Sequence, residues 1–449
     1  MRLILALSCV CALAYAQKMT LPEAVATAVK NYPAIRAAGE QVAASRAGVD
    51  LARTNYLPRA DMMWQVNRAT ENNITGLLLQ NSVVPPISGR VPLESSGQTY
   101  WGSVAGLLVS WEPFDFGARR AVVGTARAGE SRASAELQLT ALQIGASAAD
   151  AVFQLLAAQE RIRAAQADVD RRKVFVESVR ALVKAELRPG ADASRVDAEF
   201  AAAQTQWFKA QEGERVAQAV LGQWLNLPST TLQIDGGPLL AQGVAPPPAS
   251  AAADHPLTRV DQSRVDEAQA RLHALERAYF PKFTVQSAVF GRGSSIHADG
   301  RVEGGAAGLA PDRGNWAVGL TVTFPLMDGP SLRARREIEA ANRRREEARL
   351  DEDRRRLSAQ EEQARSAWES AKQVAANTPV QLAAAQTAES QARARFQAGL
   401  GTLVEVADAQ RLLVQADAED RLARLSVWRG LFLMAAAKGD LQPFLDAVK

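Results

Sequence analysis

Two carboxylates, Glu405 and Asp408, stand three residues apart in FQAGLGTLVEVADAQ, directly after the break at Gly399-Leu400-Gly401. On a helix, residues i and i+3 share a face, so the pair presents two negative charges in one direction. Paired acids can do general acid and base work or hold a cation, but both jobs need companions. His255, His273 and His297 are isolated, with neither an H-x-x-x-H spacing nor a Cys neighbour, so a metal site is not expected. GRGSS at 291–295 is no phosphate loop, because no Lys follows and no helix begins there. No nucleophile and base come together anywhere, which argues against a secreted hydrolase. The chain reads as a non-enzyme without a cofactor, and by spacing alone the acidic pair is a solvated helix face.

The elements that position this pair come in two copies. NYPAIRAAGEQVAASRAGVDLARTNYLPRADMMWQV (31–66) aligns with DHPLTRVDQSRVDEAQARLHALERAYFPKFTVQSAV (254–289), so that Pro33, Arg36, Tyr56 and Pro58 meet Pro256, Arg259, Tyr279 and Pro281. SWEPFD (110–115) then matches TFPLMD (323–328), and Asp197-Ala198-Glu199 matches Asp408-Ala409-Gln410. Conserved order with a slowly drifting offset is the mark of a tandem duplication.

Each copy opens on an alanine-rich helix, such as 20–55, stopped by an aromatic-x-Pro step. Two alternating segments follow, separated by a polar, Gly/Pro-rich loop at 70–100 or 293–314. In 59–68, Ala60, Met62, Trp64 and Val66 alternate with Asp61, Met63, Gln65 and Asn67. In 101–111, Trp101, Ala105, Leu107, Val109 and Trp111 oppose Gly102, Gly106 and Ser110. In 315–324, Trp316, Val318, Leu320, Val322 and Phe324 oppose Ala317, Gly319, Thr321 and Thr323; 283–292 is a weaker case with Phe283, Val285 and Val289. Period-2 alternation over roughly ten residues suits a transmembrane barrel strand, with an apolar lipid face bounded by interfacial aromatics. Trp64, Trp101, Trp111, Trp316 and Phe324 are the expected anchors, in preference to a ligand-stacking box.

Very long helical stretches follow the strands, at about 117–187 and 331–398, each roughly 100 Å at 1.5 Å per residue. Pro189-Gly190 is expected to end the first and Gly399-Leu400-Gly401 the second. Shorter helices return over 192–226 and 402–437, and Pro379 should kink or split the second long one. Arg and acidic residues interleave over 333–356, ten basic against seven acidic, as in a solvated helix rather than a nucleic-acid patch. The whole chain agrees: 52 basic residues nearly cancel 49 acidic ones, so no strong field seeks nucleic acid.

The first sixteen residues, MRLILALSCVCALAYA, read as a secretory signal ending in an A-x-A site. They contain both cysteines, Cys9 and Cys11, so neither disulfides nor a thiolate site is expected in the exported chain. The domain reading is a signal peptide at 1–16, a helix-hairpin-helix repeat at 17–225, a surface connector at 226–255, a second repeat at 256–440 and a C-terminal tail at 441–449.

Four strands cannot close a barrel, and lipid does not tolerate an open sheet edge. Three copies would supply twelve strands, an even number of the kind bacterial barrels use.

Over nearly its whole exported length the sequence resembles the TolC-like outer-membrane efflux proteins. The likeness rests on LPEAVATAVKNYPAI, the duplicated layout, RPGADASRVDAE and FQAGLGTLVEVADAQ. It implies a mixed α and β membrane protein: a homotrimer sharing a 12-stranded β-barrel in the outer membrane of a Gram-negative bacterium, with a long α-helical barrel in the periplasm. It implies the passive exit duct of a tripartite efflux or type I secretion system, with a periplasmic membrane-fusion adaptor and an inner-membrane pump as partners. Drug, metal and protein export share this architecture. A periplasmic coiled-coil adaptor without a pore is the alternative.

The resemblance places Glu405 and Asp408 on the two acidic gate positions, where threefold symmetry would stack two carboxylate rings that favour cations. Phe396 and Gly401 stand where the best-known member has a tyrosine and an arginine, so the bonds of that gate cannot form here. Arg195 could pair with Glu405 or Asp408 across helices. Pro189, Gly190, Gly399 and Leu400 become the adaptor-docking tips.

Overall fold

Pro33 and Pro256 each start a helix of 22 residues, α2 (Pro33–Thr54) and α5 (Pro256–Arg277), at the equivalent points of the two copies. Proline suits a first helical position because its missing N–H would be unpaired there anyway. The same residue divides the helix expected over 20–55. Upstream of it lies a separate α1 (Leu21–Asn31), with Tyr32 held extended (φ −69°, ψ 129°) by the proline that follows. A capping box starts α1: the Thr20 N–H donates to Glu23 Oε2 at 2.8 Å and the Glu23 N–H to Thr20 Oγ1 at 3.4 Å.

The structure, a computed structural model, describes residues 18–70, 97–228, 232–240, 255–297 and 301–448. The leader at 1–16, most of the 70–100 loop and most of the connector lie outside these residues. Two units emerge. One comprises the chain up to Val42, Ala133–Gln262 and Ala348–Lys449; the other comprises Ala43–Arg132 and Ser263–Glu347.

The second unit carries four antiparallel strands, β2 (Arg59–Thr70), β3 (Thr99–Phe114), β5 (Lys282–Ser294) and β6 (Arg313–Thr323), in the order β2-β3-β5-β6. Their register aligns one apolar row across the whole sheet: Met62 opposite Leu107, Leu107 opposite Val289, Val289 opposite Trp316. The next rows add Val109 and Val318, then Trp111, Val285 and Leu320. This face is left bare, with Met62 83% and Trp316 77% exposed. The opposite face is less polar than the alternation suggests, because Val104, Leu108, Ala288 and Phe290 cluster there with Met63.

The first unit is helical. The long helices α3 (Ala118–Lys184) and α6 (Gly329–Gln397) start in the second unit and run on in the first, where α4 (Gly190–Leu225) and α7 (Leu403–Lys438) are the shorter ones. α6 is not split at Pro379; it continues through it, beside a buried bond from Thr378 Oγ1 to Asp420 Oδ1 at 3.0 Å. The main core joins α1 (Leu21, Val25), α3 (Val152, Phe153, Leu156), α4 (Leu221, Leu225) and α7 (Trp428, Leu431, Phe432). Burying such apolar side chains stabilises by roughly 1.5–3 kcal/mol each.

Two further segments enter this core. The connector does not merely wrap the surface: Leu232, Ile234 and Leu239 are buried, and β4 (Gln233–Ile234) pairs in parallel with β1 (Lys18–Met19). The C-terminal segment enters the core as well. It forms α8 (Gln442–Ala447), whose Phe444 and Leu445 close the same core.

Candidate functional site

The turns that end α3 and α6 are built alike. Lys184 is the last residue of α3; Glu186 takes a left-handed conformation (φ 57°) and the Leu187 N–H donates back to Leu182 O at 2.9 Å. In the second copy Gly399 is left-handed (φ 76°) and the Leu400 N–H donates to Arg395 O at 2.8 Å. Both are Schellman closures, in which a left-handed residue lets the next amide satisfy an orphan helix carbonyl. Glu186 is therefore the counterpart of Gly399, Leu187 of Leu400 and Arg188 of Gly401. Pro189 and Gly190, expected to form the first turn, lie just past it: Pro189 precedes α4 and Gly190 is its first residue. Glutamate in a left-handed position leaves no trace in sequence, so the Pro-Gly pair drew the assignment three residues too far. The exposed tips are Leu187 and Leu400, 70% and 74% accessible.

α7 restarts on Thr402, whose Oγ1 accepts from the Glu405 N–H at 3.3 Å and donates to Glu405 Oε1 at 3.3 Å. Glu405 is thus part of the helix cap as well as a surface charge. Its Oε2 lies 3.8 Å from Arg395 Nε, while Asp408 pairs with Arg411 on its own helix. Both acids are exposed, and Leu403 and Val406 on the same turns are buried. The helix start thus faces two carboxylates outward and two apolar side chains inward.

Phe396 points into the packing between the helices. It is 2% exposed, packed edge-on to Phe175 at 5.6 Å between ring centres. Val176, Val179, Val196, Leu403 and Val406 complete this cluster, which joins all four helices. The reason is that Phe396 lies on the buried stripe of α6, not on the face of the acidic pair. A Cβ at Gly401 would be a tight fit, 3.2 Å from both Arg395 Cβ and the Phe396 N atom. Arg195 does not reach the acids within this chain; its Nε lies 3.6 Å from Glu199 Oε1. Glu199 also meets Arg172 (2.9 Å), which in turn holds Asp168.

One residue at the tip escaped the sequence reading. Arg188 donates from Nη2 to Phe396 O at 3.0 Å and lays its guanidinium over the Phe396 ring, 4.4 Å from the centroid. An open groove of about 470 Å³ runs between α6 and α7 beside Pro379, lined by Gln373, Asn377, Thr378, Gln381 and Glu419. Among the described residues no three His, Cys, Asp or Glu gather as metal ligands would.

In the sheet, the outward aromatics take unequal places. Trp111 donates its Nε1–H to Tyr56 O at 3.1 Å near the end of β3, and Phe324 is exposed just past β6. Trp101 lies two residues into β3, under the Arg68 guanidinium at 5.2 Å. Trp64 is mid-strand, because β2 runs on to Thr70 beyond the clear alternation. Trp316 is fourth in β6, on the continuous apolar row.

The family model of outer membrane efflux proteins matches residues 24–226 and 248–430, most of the chain and both copies. The chain belongs to the outer membrane efflux protein family. Its members are efflux proteins of the outer membrane. No curated protein sequence matches it. Solved structures share the fold of this efflux protein at low identity. The open state of the Neisseria gonorrhoeae MtrE outer membrane channel is 21% identical, with a TM-score of 0.74, covering 94% of this chain and 89% of its own. The Campylobacter jejuni CmeC outer membrane channel is 15% identical (TM-score 0.74; 93% and 85% covered). The outer membrane protein VceC of Vibrio cholerae is 16% identical (TM-score 0.72; 94% and 96% covered).

Proposed function

We propose that three copies of this efflux protein form one exit duct, each copy giving four strands to a twelve-stranded barrel. The observation that carries this is the sheet itself. It has two edge strands and one apolar face left bare across all four strands. β2 and β6 run in opposite senses, so the β6 edge of one copy can receive the β2 edge of the next in antiparallel fashion. Closure in this way leaves no edge in lipid. The helices continue the passage through the periplasm, and the turns at Leu187 and Leu400 face a periplasmic adaptor that links the duct to an inner-membrane pump. This is the arrangement of tripartite efflux and type I secretion. A poreless adaptor would have no use for the bare apolar sheet.

Glu405 and Asp408 form the periplasmic gate in this reading. Their exposure and their common helix face support it, and around a threefold axis they stack as two acidic rings. Such rings attract cations and repel anions in a narrow pore.

The test is single-channel recording of detergent-extracted protein in planar bilayers, for wild type and a Glu405→Ala/Asp408→Ala variant. Small cation-selective currents are expected, with selectivity lost in the variant. Selectivity untouched by the variant would move the gate elsewhere. Failure of well-folded wild type to insert would remove the duct.

A further inference from the structure

Arg292 on β5 and Arg313 on β6 stand directly opposite each other in the sheet register. Their row reads Gln65, Val104, Arg292, Arg313, and it alternates with the rows of Met62, Leu107, Val289 and Trp316. Both arginines therefore project from the face opposite the bare apolar one. Within the paired rows, the charged residues of that face are Arg59, Asp61, Lys282, Arg292 and Arg313. Asp61 is taken by Arg59 at 2.9 Å. The face is basic on balance, and two of its cations meet at the end where β5 and β6 are joined by their loop. Like charges directly opposite on a sheet destabilise the pair, so this placement calls for a counter-charge.

The loop leaves that face open, because it folds over the other one. Gly291 and Gly293 belong to the apolar rows. A Cβ on Gly291 would stand 2.9 Å from Pro311 Cβ, and one on Gly293 would run into Ala310 O. The chain then returns to start β6, held by a bond from the Asp312 N–H to Arg292 O at 2.9 Å. Arg313 is exposed on the far side of this crossing, and the Arg292 guanidinium lies over the Phe290 ring, 5.3 Å from its centroid. Val104 and Phe290, both buried on the same face, give the arginines an apolar floor that strengthens any charge pairing above it.

We propose that Arg292 and Arg313 form a binding site for a soluble polyvalent anion of the oligophosphate kind. Each guanidinium fork can hold two oxygens of a phosphate or carboxylate. A singly charged ion would offset only one of the two cations, whereas a polyvalent one offsets both and their repulsion. A lipid headgroup is the wrong occupant, since lipid meets the opposite face. In the barrel proposed above the pair recurs once per copy around the loop end of the passage, where a seated anion lowers the current. That consequence rests on the duct; the site on the sheet does not.

The experiment titrates inorganic triphosphate into detergent-extracted protein by calorimetry at low salt, where screening is weak. Wild type is expected to bind, and Arg292→Gln/Arg313→Gln to bind roughly tenfold more weakly or worse, the scale of one lost charged hydrogen bond. Arg313→Lys keeps the charge but not the fork and should lie between. Arg68→Gln, on the apolar face at the same end of the sheet, should bind as wild type does. Equal affinity in the double glutamine variant overturns the site. So does an equal loss in Arg68→Gln, which would mark general charge attraction, or competition by anionic phospholipid in the micelles, which would assign the arginines to a headgroup. In planar bilayers, triphosphate on the loop side should reduce the wild-type current and spare the double variant. Block that persists in the double variant overturns the site's part in conduction. Binding by a wild type that passes no current keeps the site and removes the duct; current without binding does the reverse.

Discussion

Asp115 shows how one side chain fixes the joint between strand and helix. Its Oδ1 accepts from the Gly117 N–H at 3.1 Å, and its Oδ2 from the Arg119 N–H (2.6 Å) and Nε (2.8 Å). Phe116 and Gly117 are both left-handed (φ 49° and 87°), which turns these amides toward the carboxylate. Burial pushes the acid's pKa up, but the Arg119 bonds and the backbone amides outweigh it, and the net value lies below the ordinary one. A folded pKa below the unfolded one means that the contribution is complete above the usual carboxylate range of about 4. It is lost as pH falls through the lower folded value. Asp115→Asn should cost about 1–2 kcal/mol at neutral pH, since the amide nitrogen cannot accept a bond. Denaturant unfolding at pH 7 and pH 3 checks it: the gap between the two proteins should shrink at the lower pH. The aspartate was visible in sequence only as the last letter of SWEPFD, matched by Asp328 in the second copy. Its bonds depend on a left-handed phenylalanine, which no residue type announces. The same holds at the tip, where Glu186 hid the first turn and Arg188 lay unnoticed beside it.

Elements were the most legible level, because periodicity and proline mark them directly. The long helices, their returns and the four strands lie where alternation and helical spacing put them, within a few residues. What periodicity misses is close approach. Gly430 sits inside α7 with no turn to explain it; a Cβ there would stand 2.9 Å from Trp368 Cα and 3.0 Å from its Cβ. The two helix backbones meet at this point, so a methyl group must push them apart. Gly430→Ala should therefore destabilise by about 1–3 kcal/mol from overpacking, more than the helix-propensity gain of up to about 1 kcal/mol. Gly213, exposed on α4 with nothing within 4 Å of its missing Cβ, is the contrast. Gly213→Ala should stabilise by about 0.5–1 kcal/mol. Thermal unfolding of the two variants beside wild type should show shifts of opposite sign. Burial of the connector and of the C-terminal segment was hidden for a related reason. Leu232, Ile234, Leu239 and Phe444 are scattered apolar residues without a period, and only the core they enter explains them.

At the scale of the molecule, the two faces of the sheet decide where the chain can live. Val318 lies on the bare face, opposite Ser287 on β5, and is 65% exposed; Thr321, three residues on, points to the other side, opposite Thr284. If the bare face meets lipid, an arginine at Val318 costs about 2–4 kcal/mol per copy near the bilayer middle. Three copies would multiply that cost in one barrel. An arginine at Thr321 would face the passage and keep its water. Val318→Arg should therefore sharply reduce the amount of assembled protein in the outer-membrane fraction. Thr321→Arg should assemble normally and shift the channel toward anions. Membrane fractionation and reversal-potential measurements read the two effects separately. Equal assembly of both variants would mean that the bare face is covered by protein rather than lipid, and the duct would need another route through the membrane. The alternation that makes the two sites opposite is written in NWAVGLTVT, a period of two that only a strand can use. The sequence therefore assigns the faces, and the cross-strand register carries the assignment across the sheet to Met62.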